Sequence, residues 1–183
     1  MKEFEYIINK FGRMLQGKVN TPIVVGGWAI NLHGYPRQTI DFDFMIFEEE
    51  FDVIVDVFNK LGYNQTVKTD LYARFESESN ESYLYFDCLF VDLSTYNKIS
   101  KTGKSVKIYE TEFILPCPMH IIAMKLHGLK YGTSARSFKD FNDIISLIII
   151  YKIDVSLNSE LELACIKYGN KEIYNRIVEV IKI

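Results

Sequence analysis

Cysteine, proline and tryptophan are scarce in this chain, at three, four and one among 183 residues. Cys88, Cys117 and Cys165 are odd in number and none sits in a C-x-x-C pair. They exclude a disulfide framework or a thiolate zinc site and read as reduced thiols of a cytoplasmic protein. The histidines are equally sparse. His120 and His127 are seven residues apart and lack a nearby third ligand, and His33 is remote in sequence, so a histidine zinc site is not expected either. Long apolar runs are missing: the longest, 144–151, is interrupted by Ser146 and is far shorter than the roughly 20 residues that span a bilayer. The N-terminus carries Glu3 and Glu5 where a secretory signal has basic residues, and no apolar stretch follows. There is no internal repeat, low-complexity tract or basic block. Strong binding to duplex DNA, which depends on neutralising many phosphates, is thereby excluded, whereas contact with the end of one RNA stays open.

What is present is an ordinary globular composition, 48% hydrophobic and 25% charged, enough for a real core. The net charge is −3, unevenly spread: residues 1–115 hold 12 basic against 17 acidic side chains, and residues 116–183 hold 9 against 7. Periodicity predicts a helix over 3–16, a short buried strand over 22–25, a helix over 28–32 and a strand over 42–47. A helix over 49–61, stopped by Gly62, comes next, then strands over 63–68, 71–76 and 82–91 and an extended stretch over 107–115. Pro116 and Pro118 open an all-helical part: 119–131, 137–151, 159–168 and 170–182. The expected organisation is an α/β core over 1–117 and a helical segment over 118–183 packed on it as one unit.

The stretch "VVGGWAINLHGYPRQTIDFDFMI" (24–46) carries the chemistry. Residues two apart in a strand face the same side, so Asp41 and Asp43 present two carboxylates about 7 Å apart along one face. Ile40, Phe42, Phe44 and Ile46 form the opposite, apolar face. Two unpaired buried carboxylates repel, and each costs several kcal/mol to desolvate. A divalent cation with oxygen ligands, of the Mg²⁺ type, is the simplest compensation. Upstream, a strand ending in Gly26-Gly27 and entering a helix lets backbone approach a ligand and aims N–H groups at an anion. A phosphate binder beside metal-binding carboxylates implies a metal–nucleotide complex.

These residues resemble the signature of the DNA polymerase β-like nucleotidyltransferase superfamily: a G-G turn, a short helix, then a D-x-D strand. The first half is most similar to small bacterial enzymes that adenylylate aminoglycosides or lincosamides. The second half resembles the AbiEii-type toxins, which carry a lysine helix and an R-x-x-K-D-x-x-D segment, here "MKLHGLK" (124–130) and "RSFKDFND" (136–143). "GYPRQTIDFD" also resembles the R-x-T-x-D-x-D form of that group, with Arg37 and Thr39 at the matching positions.

The resemblance implies an α+β fold: a small mixed sheet with flanking helices, then C-terminal helices. It implies transfer of NMP from an NTP to an acceptor hydroxyl with two Mg²⁺ or Mn²⁺ ions. Asp41, Asp43 and a third carboxylate would hold the metal. "YLYFDCLFVD" (83–92) offers Asp87 or Asp92; Asp87 is preferred, because Asp92 more readily caps the next segment. Gly26, Gly27 and the Trp28 N–H would hold phosphates, with Arg37, Thr39, Lys125 and Lys139 as further nucleotide contacts. Arg37 reads equally as a structural partner of Asp41, and Lys125 as part of a solvated helix face. Asp140 and Asp143 read as a local charge network with Lys139 and Arg136. The acceptor is either tRNA or a protein, which would make the chain a toxin with a separate antitoxin, or a small-molecule drug. A catalytically inactive nucleotide-binding module is the competitor from another class.

Overall fold

The structure is a computed structural model in which the described residues are 2–79, 84–132 and 134–182, with Lys2, Ser134, Ala135 and Arg136 described by backbone alone. Two compact units emerge, Met1–Ala29 with Arg37–Pro116, and Ile30–Pro36 with Cys117–Ile183.

The first unit opens with helix α1 (Lys2–Leu15), strand β1 (Ile23–Val24) and the first turn of helix α2 (Gly26–Leu32). Strand β2 (Asp41–Phe47), a 3-10 turn at Glu48–Glu50 and helix α3 (Phe51–Lys60) follow, then strands β3 (Tyr63–Lys68), β4 (Tyr72–Ser77) and β5 (Tyr85–Val91). Helix α4 (Leu93–Thr102) and strands β6 (Lys104–Ile108) and β7 (Thr111–Leu115) complete it. One seven-stranded sheet runs β3-β4-β5-β2-β1-β7-β6. β2 and β5 are parallel, as are β1 and β7, and the other pairs are antiparallel. The sheet is therefore mixed, and the α+β class expected from the sequence is the class observed.

Alternation sorts the strand residues onto two faces. Phe42, Phe44, Phe75, Phe86 and Phe113 are fully buried; Phe44 meets Phe11 of α1 and Phe58 of α3, and Phe42 meets Phe113. The Phe58 ring stacks on Phe75 at 4.3 Å and lies 5.0 Å from Phe86 and 5.2 Å from Phe11. Each such ring stabilises by about 1.5–3 kcal/mol through burial alone. α1 faces this core through Ile7, Ile8, Phe11 and Leu15, the helical spacing visible in the sequence. α3 stops at Gly62, whose positive φ of 79° suits a residue without Cβ.

Three local expectations needed correction. Ile40 is 66% exposed and not part of the apolar face, because pairing of β2 begins only at Asp41. The stretch 107–115 is not one strand: Tyr109, at φ 53°, turns the chain between β6 and β7. α4 was not anticipated; it buries only Tyr96 and Ile99. The first two residues of the strand expected over 82–91 lie outside the described residues.

The second unit contains Ile30–Pro36 with helices α5 (Pro118–Tyr131), α6 (Ser134–Tyr151), α7 (Glu160–Tyr168) and α8 (Lys171–Ile181). Pro118 starts α5, where its missing N–H has no cost. Ser159 and Asn170 cap α7 and α8 through Glu162 N and Ile173 N. Ile121, Ile122, Leu126, Ile144, Leu147, Leu161, Cys165 and Ile177 are buried. His33 Nδ1 and the Tyr151 hydroxyl lie 2.6 Å apart in the same unit. Among the described residues no helix is long and apolar enough to cross a membrane.

Candidate active site

Register builds the site. In the parallel β2–β5 pair Asp43 lies opposite Asp87, and Phe42 and Phe44 lie opposite Phe86 and Cys88. The phenylalanines face the core, so the aspartates share the other face. In the antiparallel β4–β5 pair Arg74 lies opposite Asp87. Arg74, Asp87 and Asp43 thus form one row across three strands. Asp41, one step along β2, joins it. The three aspartates each offer an oxygen within 4.8 Å of the others. Asp87 is 9% exposed, and Asp41 and Asp43 are half-buried.

Asp87 is held from the side by a two-pronged pair: Arg74 Nε donates to Oδ1 and Nη2 to Oδ2, each at 2.7 Å. Those bonds raise the pKa of the guanidinium against the effect of its own partial burial, and the charge of Asp41 adds to the rise. Bidentate guanidinium–carboxylate bonds fix the carboxylate plane. Sequence reasoning missed Arg74. The signal was there: Ala73 and Phe75 alternate as buried residues around it, which puts Arg74 on the aspartates' face once β4 is paired.

The two glycines explain how the D-x-D strand reaches the start of α2. Val25 N donates to Asp43 O at 3.0 Å. Gly26, at φ 59°, sits so near Asp43 that a methyl group there would overlap the carboxylate. A methyl on Gly27 would come within 2.6 Å of Thr39 Cβ. Thr39 Oγ1 in turn donates to Asp41 O at 3.3 Å. The helix therefore begins at the glycines themselves, two residues earlier than the 28–32 expected from the sequence. The first turn of a helix leaves its N–H groups without intrahelical acceptors, and Gly26, Gly27 and Trp28 occupy that turn. The Trp28 ring stacks on Phe4 at 4.8 Å and meets Phe42 edge-on, as a core side chain does.

The other candidates are placed as follows. Arg37 is half-buried, and its Nη1 donates to Gln38 O at 3.3 Å. Asp92 caps α4, accepting from Thr95 N at 2.8 Å, which holds its carboxyl below the usual range. It belongs to α4, while Asp87 joins the acidic cluster. Lys125 and Lys139 belong to the second unit. Lys125 is buried between Asp140 at 2.9 Å and Asp143 at 2.6 Å, which overturns its reading as part of a solvated face. Lys139 is exposed on α6, and the Arg136 side chain lies outside the described residues. Burial pushes the Cys88 thiol pKa up, and that of Cys165 up to about 12, so neither is a nucleophile near neutrality.

The three carboxylates suit a divalent cation. They are hard oxygen donors brought together from adjacent strands.

No protein-family model matches this sequence, and no curated protein matches it. Solved structures do. ANT(2'')-Ia in complex with adenylyl-2''-tobramycin is 14% identical with a TM-score of 0.60, over 98% of this chain and 99% of that one. The lincosamide antibiotic adenylyltransferase LnuA, lincomycin-bound, is 16% identical with a TM-score of 0.56, over 80% of this chain and 96% of that one. A nucleotidyltransferase-like protein from Paracoccidioides brasiliensis is 15% identical with a TM-score of 0.57, over 97% and 93%. This chain shares the fold of these structures.

Proposed function

We propose that this protein is a metal-dependent nucleotidyltransferase, moving NMP from an NTP to an acceptor hydroxyl. The observation that carries the proposal is the cluster of Asp41, Asp43 and Asp87 on adjacent strands of this fold, each with an oxygen within 4.8 Å of the others. Asp41 and Asp43 would hold Mg²⁺ or Mn²⁺ together with the triphosphate. Asp87 would complete the metal site and take the acceptor's proton. The bound metal supplies charge stabilisation for the attacking and leaving oxygens of an in-line displacement. Gly26, Gly27 and Trp28 offer backbone N–H groups to the phosphates, Thr39 packs behind them, and Arg37 adds positive charge.

For the acceptor we infer a small hydroxyl-bearing molecule. Two structures that this chain matches over 96–99% of their length hold drug molecules, one adenylylated and one lincomycin. The excess of acidic residues over 1–115 also disfavours a polyanionic RNA. A toxin acting on RNA or protein, with its own antitoxin, is the second reading. It is favoured by the meeting of Lys125, Asp140 and Asp143, all within the toxin-like motifs, in one buried cluster.

The test is transfer of label. The protein and an Asp43→Ala variant are incubated with Mg²⁺ or Mn²⁺ and each α-³²P-NTP, with aminoglycosides, lincosamides, total tRNA or the protein itself as acceptor. Label on a drug, lost in the variant, supports the reading. Label on RNA or protein establishes the toxin-like one. Metal-dependent NTP binding without transfer to any acceptor points to an inactive binding module, and no binding at all overturns the assignment of the aspartates.

A further inference from the structure

Both oxygens of Asp87 accept from Arg74 at 2.7 Å, while one of them also lies within 4.8 Å of oxygens from Asp41 and Asp43. A guanidinium therefore stands at the edge of the carboxylate cluster, and Asp41 attracts it as well. Each carboxylate oxygen has two lone pairs, so Asp87 can serve a cation without releasing Arg74. The cation would then sit one carboxylate away from a permanent positive charge, since arginine does not deprotonate in proteins. Arg74 thus offsets part of the negative charge that the three carboxylates gather there. A triphosphate adds several further negative charges to the same place.

We propose that Arg74 ties metal loading to the nucleotide. It fixes Asp87 in the cluster, and its charge keeps the cluster from filling tightly with divalent cation until a triphosphate arrives. Arg74 is a positioning residue in this scheme, because it acts through Asp87. The proposal rests on the metal–nucleotide reading above.

Mn²⁺ binding to the full chain, measured by electron paramagnetic resonance or calorimetry without nucleotide, tests it. Arg74→Gln and Arg74→Ala should bind Mn²⁺ at least about tenfold more tightly than the unaltered protein, equivalent to about 1.4 kcal/mol. Arg74→Lys, which keeps the charge and loses the fork, should stay within about threefold of the unaltered protein. A non-hydrolysable ATP analogue should narrow the gap. Melting in EDTA identifies which variants are folded, and either uncharged variant suffices because the Arg74 side chain is 34% exposed. Equal or weaker Mn²⁺ binding in the folded uncharged variant overturns the proposal while leaving the function standing. If Asp43→Asn binds Mn²⁺ as well as the unaltered protein, with and without the analogue, the metal site itself is wrong and both readings fall.

Discussion

Gly26→Ala is the most informative single substitution in the first unit, because one methyl group separates backbone strain from damage to the site. At φ 59° an alanine incurs about 1–2 kcal/mol of left-handed strain. The new methyl also meets Asp43, with Cγ 2.5 Å and Cβ 2.8 Å from the added carbon. The carboxylate can swing aside, but Cβ moves only with the strand, so overpacking adds about 1–3 kcal/mol. Gly17→Ala is the matched control: its φ is 72°, and nothing lies within 4 Å of the added carbon. It should show the strain alone. Each kcal/mol lowers Tm by about 2–4 °C in a chain of this size. Gly26→Ala should therefore melt clearly below Gly17→Ala in EDTA. Ligand-linked stabilisation gives the second reading. At a concentration of Mg²⁺-ATP about 100 times Kd, stabilisation is about 2.7 kcal/mol, or roughly 5–11 °C. Gly17→Ala should keep that shift, and Gly26→Ala should lose most of it because Asp43 is displaced. Differential scanning fluorimetry of the three proteins with and without Mg²⁺-ATP decides the matter. If Gly26→Ala melts with Gly17→Ala and keeps the full shift, the close approach of helix and carboxylate is not needed, and the account of the glycines fails.

Two further outcomes are expected. Lys125→Ala removes the buried cation that Asp140 and Asp143 share and should lower stability in EDTA, by about 3–5 kcal/mol at most, measured by urea unfolding. Asp140→Asn should lose less, because Lys125 keeps Asp143; equal stability of Lys125→Ala and the unaltered protein would remove the structural role given to the cluster. Glu162 accepts from Lys171 Nζ and from Asn158 N, which holds its carboxyl below the usual range. Its contribution is complete above the unfolded carboxylate pKa of about 4.3 and is lost as pH falls through the lower folded value. Melts from pH 7 to pH 3 should show a shallower acid limb in Glu162→Gln, and identical limbs would contradict the pairing.

How much of this was legible in the sequence follows from which physical signal each feature carried. β2 and β4 alternate around the site, so these strands and the facing of Asp41 and Asp43 could be read directly. The helices of the second unit carried caps and turn residues, Pro118, Ser159 and Asn170 among them. α4 had only two buried side chains to announce it, and the β6–β7 turn uses Tyr109 at positive φ, where no glycine or asparagine marks the spot. Ile40 looked like the start of the apolar face because alternation continues through it, and only strand pairing ends it at Asp41. Pairing is also what Arg74 needed: its relation to Asp87 depends on a register between strands 13 residues apart, which no local pattern specifies. Lys125 erred in the same way. Helical spacing gives the face of a lysine, not whether two carboxylates from the next helix lie across from it.

The glycines show why motif and mechanism do not map one to one. Read along the sequence, Gly26 and Gly27 clear space for a phosphate. In three dimensions the first space they clear is for protein: Asp43 fills the place of one missing Cβ and Thr39 the other. These roles reinforce each other. The start of α2 can present N–H groups beside the carboxylates only if the helix and the D-x-D strand are nearly in contact, and contact at that distance excludes a side chain at either position. The same closeness concentrates negative charge against backbone donors, with Arg74 offsetting part of it from the far side of Asp87. Substituting the carboxylates removes the proposed metal ligands, whereas substituting a glycine keeps each of them and destroys the spacing. Loss of metal-linked stabilisation in both kinds of variant would mean that the site depends on geometry as much as on charge.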